Sequence, residues 1–375
     1  MDHASFPAFV VELARPEDDA DLRAVLAATP MPGPVSLCFA REPSYFAAAS
    51  VEGRFRQTIV VRNRQRSQVV GMGSRSISPV YVNGQVAPLG YLSGLRGVPE
   101  YRGGTLLARG YRYLRQLHED GRTTLYVTTI AEGNREAIAA LTSGRARLPK
   151  YHAAGQYHTL MLPRRRGEIR TRDAGIEVRF ASHADLPRLV GFWNEVGPQR
   201  QFFPVVNEDD FRSHESIYRG LQPQQMLVAW RGKRPCGTLA LWNQGSFRQT
   251  VVAGLPKWLR LTRPVYNFLA AARGRPTLPA VGQAIAFLDA ALLVIKCDDL
   301  NVLRRLLTAA TSRKAFPQEP FLAVGLHDSD PLLPEVRRRR TLEYMTRVFL
   351  VCWEDGEPLR QSLDHRPLYL ELGRL

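Results

Sequence analysis

The residues best placed to do chemistry lie in VPEYRGGTLLARGYRYL, residues 98–114. A strand ending at Val98-Pro99 runs through a tight turn with Gly103 and Gly104 into a helix predicted over 104–119. Strand, turn and helix in immediate succession aim the first backbone N–H groups of the helix, and its positive dipole end, at one point. The glycines remove the side chains that would hold an anion away, and a pyrophosphate suits such a site. Arg96 and Arg102 stand ready to add charge-assisted contacts. The same glycines also suit a plain turn that starts a basic surface helix, and the turn by itself leaves both readings open.

The helix has an apolar stripe of Leu107, Tyr111, Leu114 and Leu117, widened by Leu106 and Tyr113, with Arg109, Arg112 and Arg115 on its other faces. Ahead of it the pattern predicts a strand (8–13), a helix (18–28), a Pro-rich crossing and a helix (43–50). Three strands follow in RQTIVVRN, SQVVGMGSRSI and APLGYLSGLRGV, joined by hairpin signals at Arg64–Ser67 and VNGQ. After it come a strand (124–130), a helix (134–142) and strands in YHAAGQYHTLML. An antiparallel meander feeding a β-helix-β crossover predicts a mixed α/β sheet, mainly antiparallel and flanked by helices.

The chain begins twice. VELARPEDDADLRAVL (11–26) and VRFASHADLPRLVGFW (178–193) share a strand, a polar turn and an Asp-Leu opening a helix. TLYVTTIAEGNREAIAAL (124–141) and FLAVGLHDSDPLLPEV (321–336) form a second matching pair. The offset grows from about 165 to about 195 residues, which predicts an insertion of about 30 residues in the second copy, best placed near 255–282. The expected organisation is a first domain at 1–162, a basic linker at 163–175 (PRRRGEIRTRDAG) and a second domain at 176–375.

The element order, with VPEYRGG leading into a helix, resembles the GNAT superfamily of acyl-CoA-dependent N-acyltransferases. In that family a strand ending V-x-P-E-x-R-G precedes the pyrophosphate loop R/Q-x-x-G-x-G/A. Pro99, Glu100, Tyr101, Arg102 and Gly103 match, whereas Thr105 and Leu107 replace small residues. The resemblance implies two GNAT-like domains in tandem. It also implies a CoA site built from Arg96, Arg102, Gly103, Gly104, Thr105, Leu106 and Leu107, with backbone groups of Leu95 and Gly97 on the pantetheine arm. Asn134 and Ala137 fit the family's N-x-x-A-x-x-x-Y, but the tyrosine that protonates the leaving thiolate falls on Leu141, so that donor is either missing or supplied from elsewhere, for instance by Tyr151. The family's usual base, a Glu eleven residues before the loop Arg, falls on Tyr91, a phenol ill-suited to that role at neutral pH. Tyr91 suits ordering water or substrate, or packing, and Ser93 shares its face. Glu132, beside Asn134, is the carboxylate among these candidates and the choice for base on chemistry alone.

In the second copy the matching place reads LLVIKCDDLNVLRRLLTAA (292–310), with no glycine and with Asp298 or Asp299 as N-cap. Two carboxylates there oppose phosphate, so this half reads as a degenerate GNAT-like domain. All five tryptophans fall in it, and Trp258, in the inserted segment, is read either as core or as part of a lid or acceptor pocket. The run EVRRRRTLEY (335–344) reads as a solvated helix end.

Composition sets the frame. The 375 residues are 45% hydrophobic and 23% charged, as in folded domains, with a formal net charge of +16 carried by 46 arginines and five lysines. That field attracts anions: phosphorylated cofactors, an acidic acyl-carrier protein or nucleic acid. Nucleic acid is disfavoured because the basic runs lack interleaved aromatics or a recognition motif. Four scattered cysteines give no CxxC, and His152 and His158, the closest histidines, have no acidic or thiol neighbour in sequence, so no metal is expected. No membrane span or secretory signal is evident, and a cytoplasmic protein is expected. The function expected is N-acyl transfer from acetyl-CoA or another acyl-CoA to a primary amine of a small molecule or peptide. The alternatives are a non-catalytic acyl-CoA-binding protein of the same fold and a basic nucleic-acid-binding protein.

Overall fold

The computed structural model describes residues 8–31, 33, 35–101, 105–144, 148–165, 175–213, 216–273, 277–339 and 342–375. The first half runs β1 (Phe9–Leu13), α1 (Asp19–Ala28), β2 (Ser36–Ala40), α2 (Tyr45–Ala49), β3 (Phe55–Asn63), β4 (Gln68–Val82), β5 (Gln85–Gly97), α3 (Leu106–His118), β6 (Leu125–Ala131), α4 (Arg135–Thr142) and β7 (Lys150–Pro163). The second half runs β8 (Glu177–Phe180), α5 (Leu186–Val196), β9 (Met226–Arg231), β10 (Arg234–Trp242), β11 (Gln249–Gly254), α6 (Lys257–Ala272) and β12 (Phe287–Ile295). It continues with α7 (Leu300–Ala310), β13 (Phe321–His327), α8 (Leu333–Arg337), β14 (Leu342–Cys352) and α9 (Glu357–Gln361).

Twelve strands form one sheet in the order β1-β3-β4-β5-β6-β14-β7-β13-β12-β10-β9-β8. Two neighbouring pairs are parallel, β5 with β6 and β12 with β13, one in each half, and the others are antiparallel. This is the mixed, mainly antiparallel sheet the strand pattern predicts. The order also shows what local patterning hides. β14 of the second half lies between β6 and β7, and β7 of the first half lies between β14 and β13. Each half therefore gives its last strand to the seam. Phe349, Val351 and Trp353 pack in the first half's core with Tyr111, Leu114 and Tyr126, while Leu160 and Leu162 pack in the second half's core with Leu322 and Val324.

The α3 stripe behaves as its spacing dictates, with Tyr111 and Leu114 buried against Ile59, Leu92 and Tyr126. At the crossing of β5 and β6 a fully buried Tyr126 ring covers Gly90, and a Cβ there would lie 2.1 Å from Tyr126 Cδ1. Gly90→Ala is expected to destabilise the fold by about 2–3 kcal/mol, measured by denaturant unfolding, because a packed core cannot yield that space.

Two expectations change. The Pro-rich crossing holds a strand, β2, whose partner β11 lies in the second half, from Ala40 opposite Gln249 to Ser36 opposite Gly254. The start of the basic segment 163–175 is no solvated linker: Arg164 is 1% exposed. Its guanidinium donates to the carbonyls of Ala310 (3.0 Å), Ser312 (2.5 Å), Phe316 (2.6 Å) and Glu319 (2.7 Å). Residues 166–174 lie outside the described residues. Two residues join β4 to β5, whereas residues 243–286, holding β11 and α6, join β10 to β12.

Candidate active site

β5 and β6 pair as parallel strands only at Gly90–Tyr126 and Tyr91–Val127, then Thr128 Oγ1 donates to the Leu92 carbonyl at 2.7 Å. Beyond that point they part. β5 also carries an extra residue: Ser93 faces Ser74 and Arg96 faces Met72, leaving Gly94 and Leu95 opposite Gly73. Gly94 sits at φ +62°, a left-handed conformation that glycine adopts without strain. Such a bulge bends the strand and turns backbone groups out of the ladder. The wedge opens into a cavity of about 700 Å³ walled by both halves. The first half contributes Arg41, Tyr91 to Arg96, Tyr111, Asn134 and Tyr151, and the second contributes Gln244, Arg248, Asp289, Glu319 and Tyr344.

Three arginines, Arg41, Arg96 and Arg248, stand on the cavity wall. Glu52, buried behind it, pairs with Arg41 (2.5 Å), lies 3.8 Å from Arg248 and accepts from Ser93 Oγ (2.8 Å). Burial pushes the Glu52 carboxyl up, but these cations and hydrogen bonds outweigh it and hold the group below the ordinary carboxylate range. Arg96 carries no such carboxylate among its described bonds, donating to the Leu95 carbonyl. Burial and the nearby Arg41 lower its pKa.

Asp289 is a different acid. It is buried at the start of β12, and desolvation, opposed by Arg248 and helped by Glu371, pushes its carboxyl up to about 7. Opposite in character are two phenols, Tyr111 and Tyr151, whose hydroxyls meet at 2.5 Å. Burial raises Tyr111 to about 12, and burial with the Tyr111 neighbour raises Tyr151 well above its ordinary value. Tyr91 is likewise raised, by burial and then by Glu52. The cavity thus holds a carboxyl that ionises near neutrality and phenols that keep their protons.

Of the residues singled out in the sequence, Tyr91, Ser93, Leu95, Arg96, Asn134 and Tyr151 line this cavity. Asn134 N-caps α4, accepting from the Ala137 N–H at 3.2 Å. Gly97 ends β5 opposite Gly71, off the cavity wall. Thr105 is the N-cap of α3, with Leu106 and Leu107 in its first turn and Leu107 leaning on the core. Arg102, Gly103 and Gly104 lie outside the described residues. Glu132 is not on the cavity wall: Arg347 of β14 grips its carboxylate through Nη2 (2.7 Å) and Nε (3.0 Å), which holds its pKa down.

Arg41, Glu52, Arg248 and Asp289 bring charge to the site and escape a reading of the sequence, which also reads Tyr111 only as part of the α3 stripe. Only the backbone shows that Asp289 has a counterpart in the internal repeat. Asp289 stands three residues before Leu292, which has φ +48° at the second half's bulge, as Tyr91 stands three before Gly94.

The histidines also change. His152 Nε2 lies 2.9 Å from Glu357 with the buried Cys352 close by, and His158 Nδ1 lies 2.6 Å from Glu343. These partners sit about 200 residues downstream and are invisible to local spacing. Glu357 is already met by Arg360 (2.8 Å) and Lys150 (3.6 Å), so its charge is balanced by side chains. Trp258 is 66% exposed and off the cavity wall, neither core nor pocket.

The second half repeats the wedge and fills it. β12 and β13 pair at three positions, Phe287–Phe321 to Asp289–Ala323, and then part. The Leu292 N–H donates to Glu371 Oε2 (2.9 Å), Tyr157 OH donates to the Leu370 carbonyl (2.8 Å), and Leu372 lies against Gly325. At the start of α7, Asp299 Oδ1 accepts from the N–H groups of Asn301 and Val302, and its other oxygen pairs with Arg231 (2.6 Å). A carboxylate thus occupies the donors that a phosphate would need.

A bulged strand parting from a parallel neighbour, followed by a helix, and all of it present twice, is the GNAT fold in tandem. The sequence matches no family profile and no curated protein, but solved structures share the fold. Saccharomyces cerevisiae N-myristoyltransferase with bound myristoyl-CoA superposes with TM-score 0.58 at 9% identity, over 94% of this chain and 81% of that one. A tandem GNAT protein from the clavulanic acid biosynthesis pathway gives 0.53 at 12% identity, over 92% and 98%. The glucosamine N-acetyltransferase region of a fungal multi-domain β-N-acetylglucosaminidase gives 0.60 at 14% identity, over 93% of this chain, which spans 39% of that protein.

Proposed function

We propose that this chain is an N-acyltransferase that moves an acyl group from an acyl-CoA, acetyl-CoA first among them, to a primary amine of a small molecule or peptide. The observation that carries the reading is one open wedge whose cavity holds both a near-neutral carboxyl and a protonated phenol pair. In this reading the thioester lies along the bulge at Gly94 and Leu95, with the pyrophosphate toward the start of α3. Asp289, ionised above neutrality, takes a proton from the ammonium or from the attacking nitrogen. The C–N bond forms as the C–S bond breaks, and Tyr151, backed by Tyr111, returns a proton to the departing thiolate. Holding amine and thioester together supplies most of the rate, since the thioester is already activated. Tyr91 and Ser93 orient the acceptor, while Glu132, held by Arg347, steadies the end of β6.

The reading is tested by thermal shift with acetyl-CoA and longer acyl-CoAs, followed by thiol release across an amine panel. Stabilisation and turnover are expected. Stabilisation without turnover on any amine supports instead a non-catalytic acyl-CoA-binding role, and no stabilisation overturns both. Tyr151→Phe is expected to lower turnover by about 10–100-fold while leaving the acyl-CoA thermal shift in place, because the proton donor is lost and the wedge is not.

A further inference from the structure

Helix α6 is mounted with its apolar side outward. Trp258, Leu261, Val265, Tyr266, Phe268 and Leu269 recur at helical spacing over one broad arc, and all six are exposed, Leu261 by 79% and Phe268 by 75%. The opposite side ties the helix to the chain that follows it. Asn267 exchanges hydrogen bonds with the backbone of Leu278 (3.0 and 2.8 Å), Arg263 donates to the same carbonyl (3.3 Å), and Ala270 is buried. Rolling the helix to hide the arc would break these bonds and bury Arg263.

The charged residues of the segment all have one sign. Residues 255–287 contain Lys257, Arg260, Arg263, Arg273 and Arg275 and no Asp or Glu. A broad apolar face on a segment whose only charges are positive, with a modest polar back, is the pattern of a helix lying in the interface of an anionic bilayer, with apolar groups among the acyl chains and cations reaching the headgroups. An acidic protein would account for the cations but not for six bulky apolar side chains held in water. A second copy carries the same cations and would set like charge against like.

We propose that α6 docks the chain on an anionic membrane surface. The docking segment is continuous with the cavity wall, since Gln249 and Thr250 before α6 and Ala284 to Phe287 after it line the cavity. This proposal does not depend on acyl transfer.

Trp258 supplies the readout, because Trp193, Trp230, Trp242 and Trp353 are all buried. The full chain is mixed with vesicles of phosphatidylcholine alone or with about one-third phosphatidylglycerol. A blue-shifted tryptophan spectrum and co-sedimentation are expected with the anionic vesicles and little with the neutral ones. Leu261→Asp with Phe268→Asp, both at exposed positions, is expected to cut partitioning by about 100-fold or more with Tm unchanged. Lys257→Glu with Arg260→Glu is expected to cut it by about tenfold at low salt. Trp258→Phe should still pellet with anionic vesicles but show no shift. Failure of the wild-type chain to pellet with anionic vesicles overturns the proposal, as does full pelleting by the double Asp variant. A blue shift that follows protein concentration without lipid, with dimers in light scattering, overturns it in favour of self-association.

Discussion

Asp289→Asn is expected to lower acyl transfer to amine by about 10²–10³-fold and at the same time to stabilise the fold at pH 8. Loss of activity follows because an amide cannot take a proton from the nucleophile. The gain in stability follows from linkage. In the folded chain Asp289 keeps its proton to about pH 7, whereas its ordinary pKa is 3.8. Between those values the folded state binds more protons, so stability falls as pH rises, and the loss is complete above pH 7. The cost of ionising the buried group is on the order of 2–4 kcal/mol, and the amide does not bear it. Wild type and variant should therefore melt close together near pH 4 and diverge towards pH 8. In the same range the wild-type kcat/KM should climb through about pH 7 and the variant's should lose that limb. A variant that loses activity but gains no stability at pH 8 would show that Asp289 is not a strained carboxylate. Full activity in the variant would remove it from the mechanism.

Arg164→Met is expected to cost about 4 kcal/mol, seen as a clear fall in Tm and in denaturant midpoint. The substitution roughly keeps the volume, so the effect isolates the lost donors. Four backbone carbonyls between Ala310 and Glu319 would be left without the guanidinium that now bonds to them. Burial lowers the Arg164 pKa to about 10, which still leaves the group charged at neutral pH. Arg164→Lys should recover only part of the loss, because one ammonium cannot reach carbonyls that a planar fork spans. Since Arg164 directly follows β7, the damage should spread to the seam, with faster amide exchange at Leu160 and Leu322 than at Val60 in the first-half meander. An unchanged Tm would mean that water replaces the guanidinium and that the seam does not rely on it.

Much of the fold is legible in the residues because it is local. The β3–β4–β5 meander and the α3 stripe follow from side-chain periods of two and 3.6 and from turn residues such as Asn83-Gly84. The site is legible mainly along β5, where Tyr91, Ser93, Leu95 and Arg96 follow one another at short range, with Asn134 and Tyr151 added from the elements after it. Glu132 shows the limit. Its type suits a base, but Arg347, more than 200 residues on, turns it into half of an ion pair.

By itself, then, the sequence determined most of the element types, the doubling of the chain and the contrast between a glycine turn and an Asp-Asp turn. The first and last depend on neighbours within a helical turn or a hairpin, and the doubling on comparing such local patterns along the chain. Tertiary structure alone decided the exchange of β7 and β14, the pairing of β2 with β11, the burial of Arg164 and the outward face of α6. It also made Asp289, an isolated acid in the apolar run AFLDAALLVI, the cavity's near-neutral carboxyl. Desolvation is set by everything packed around a group, and most of what surrounds Asp289 comes from distant parts of the chain.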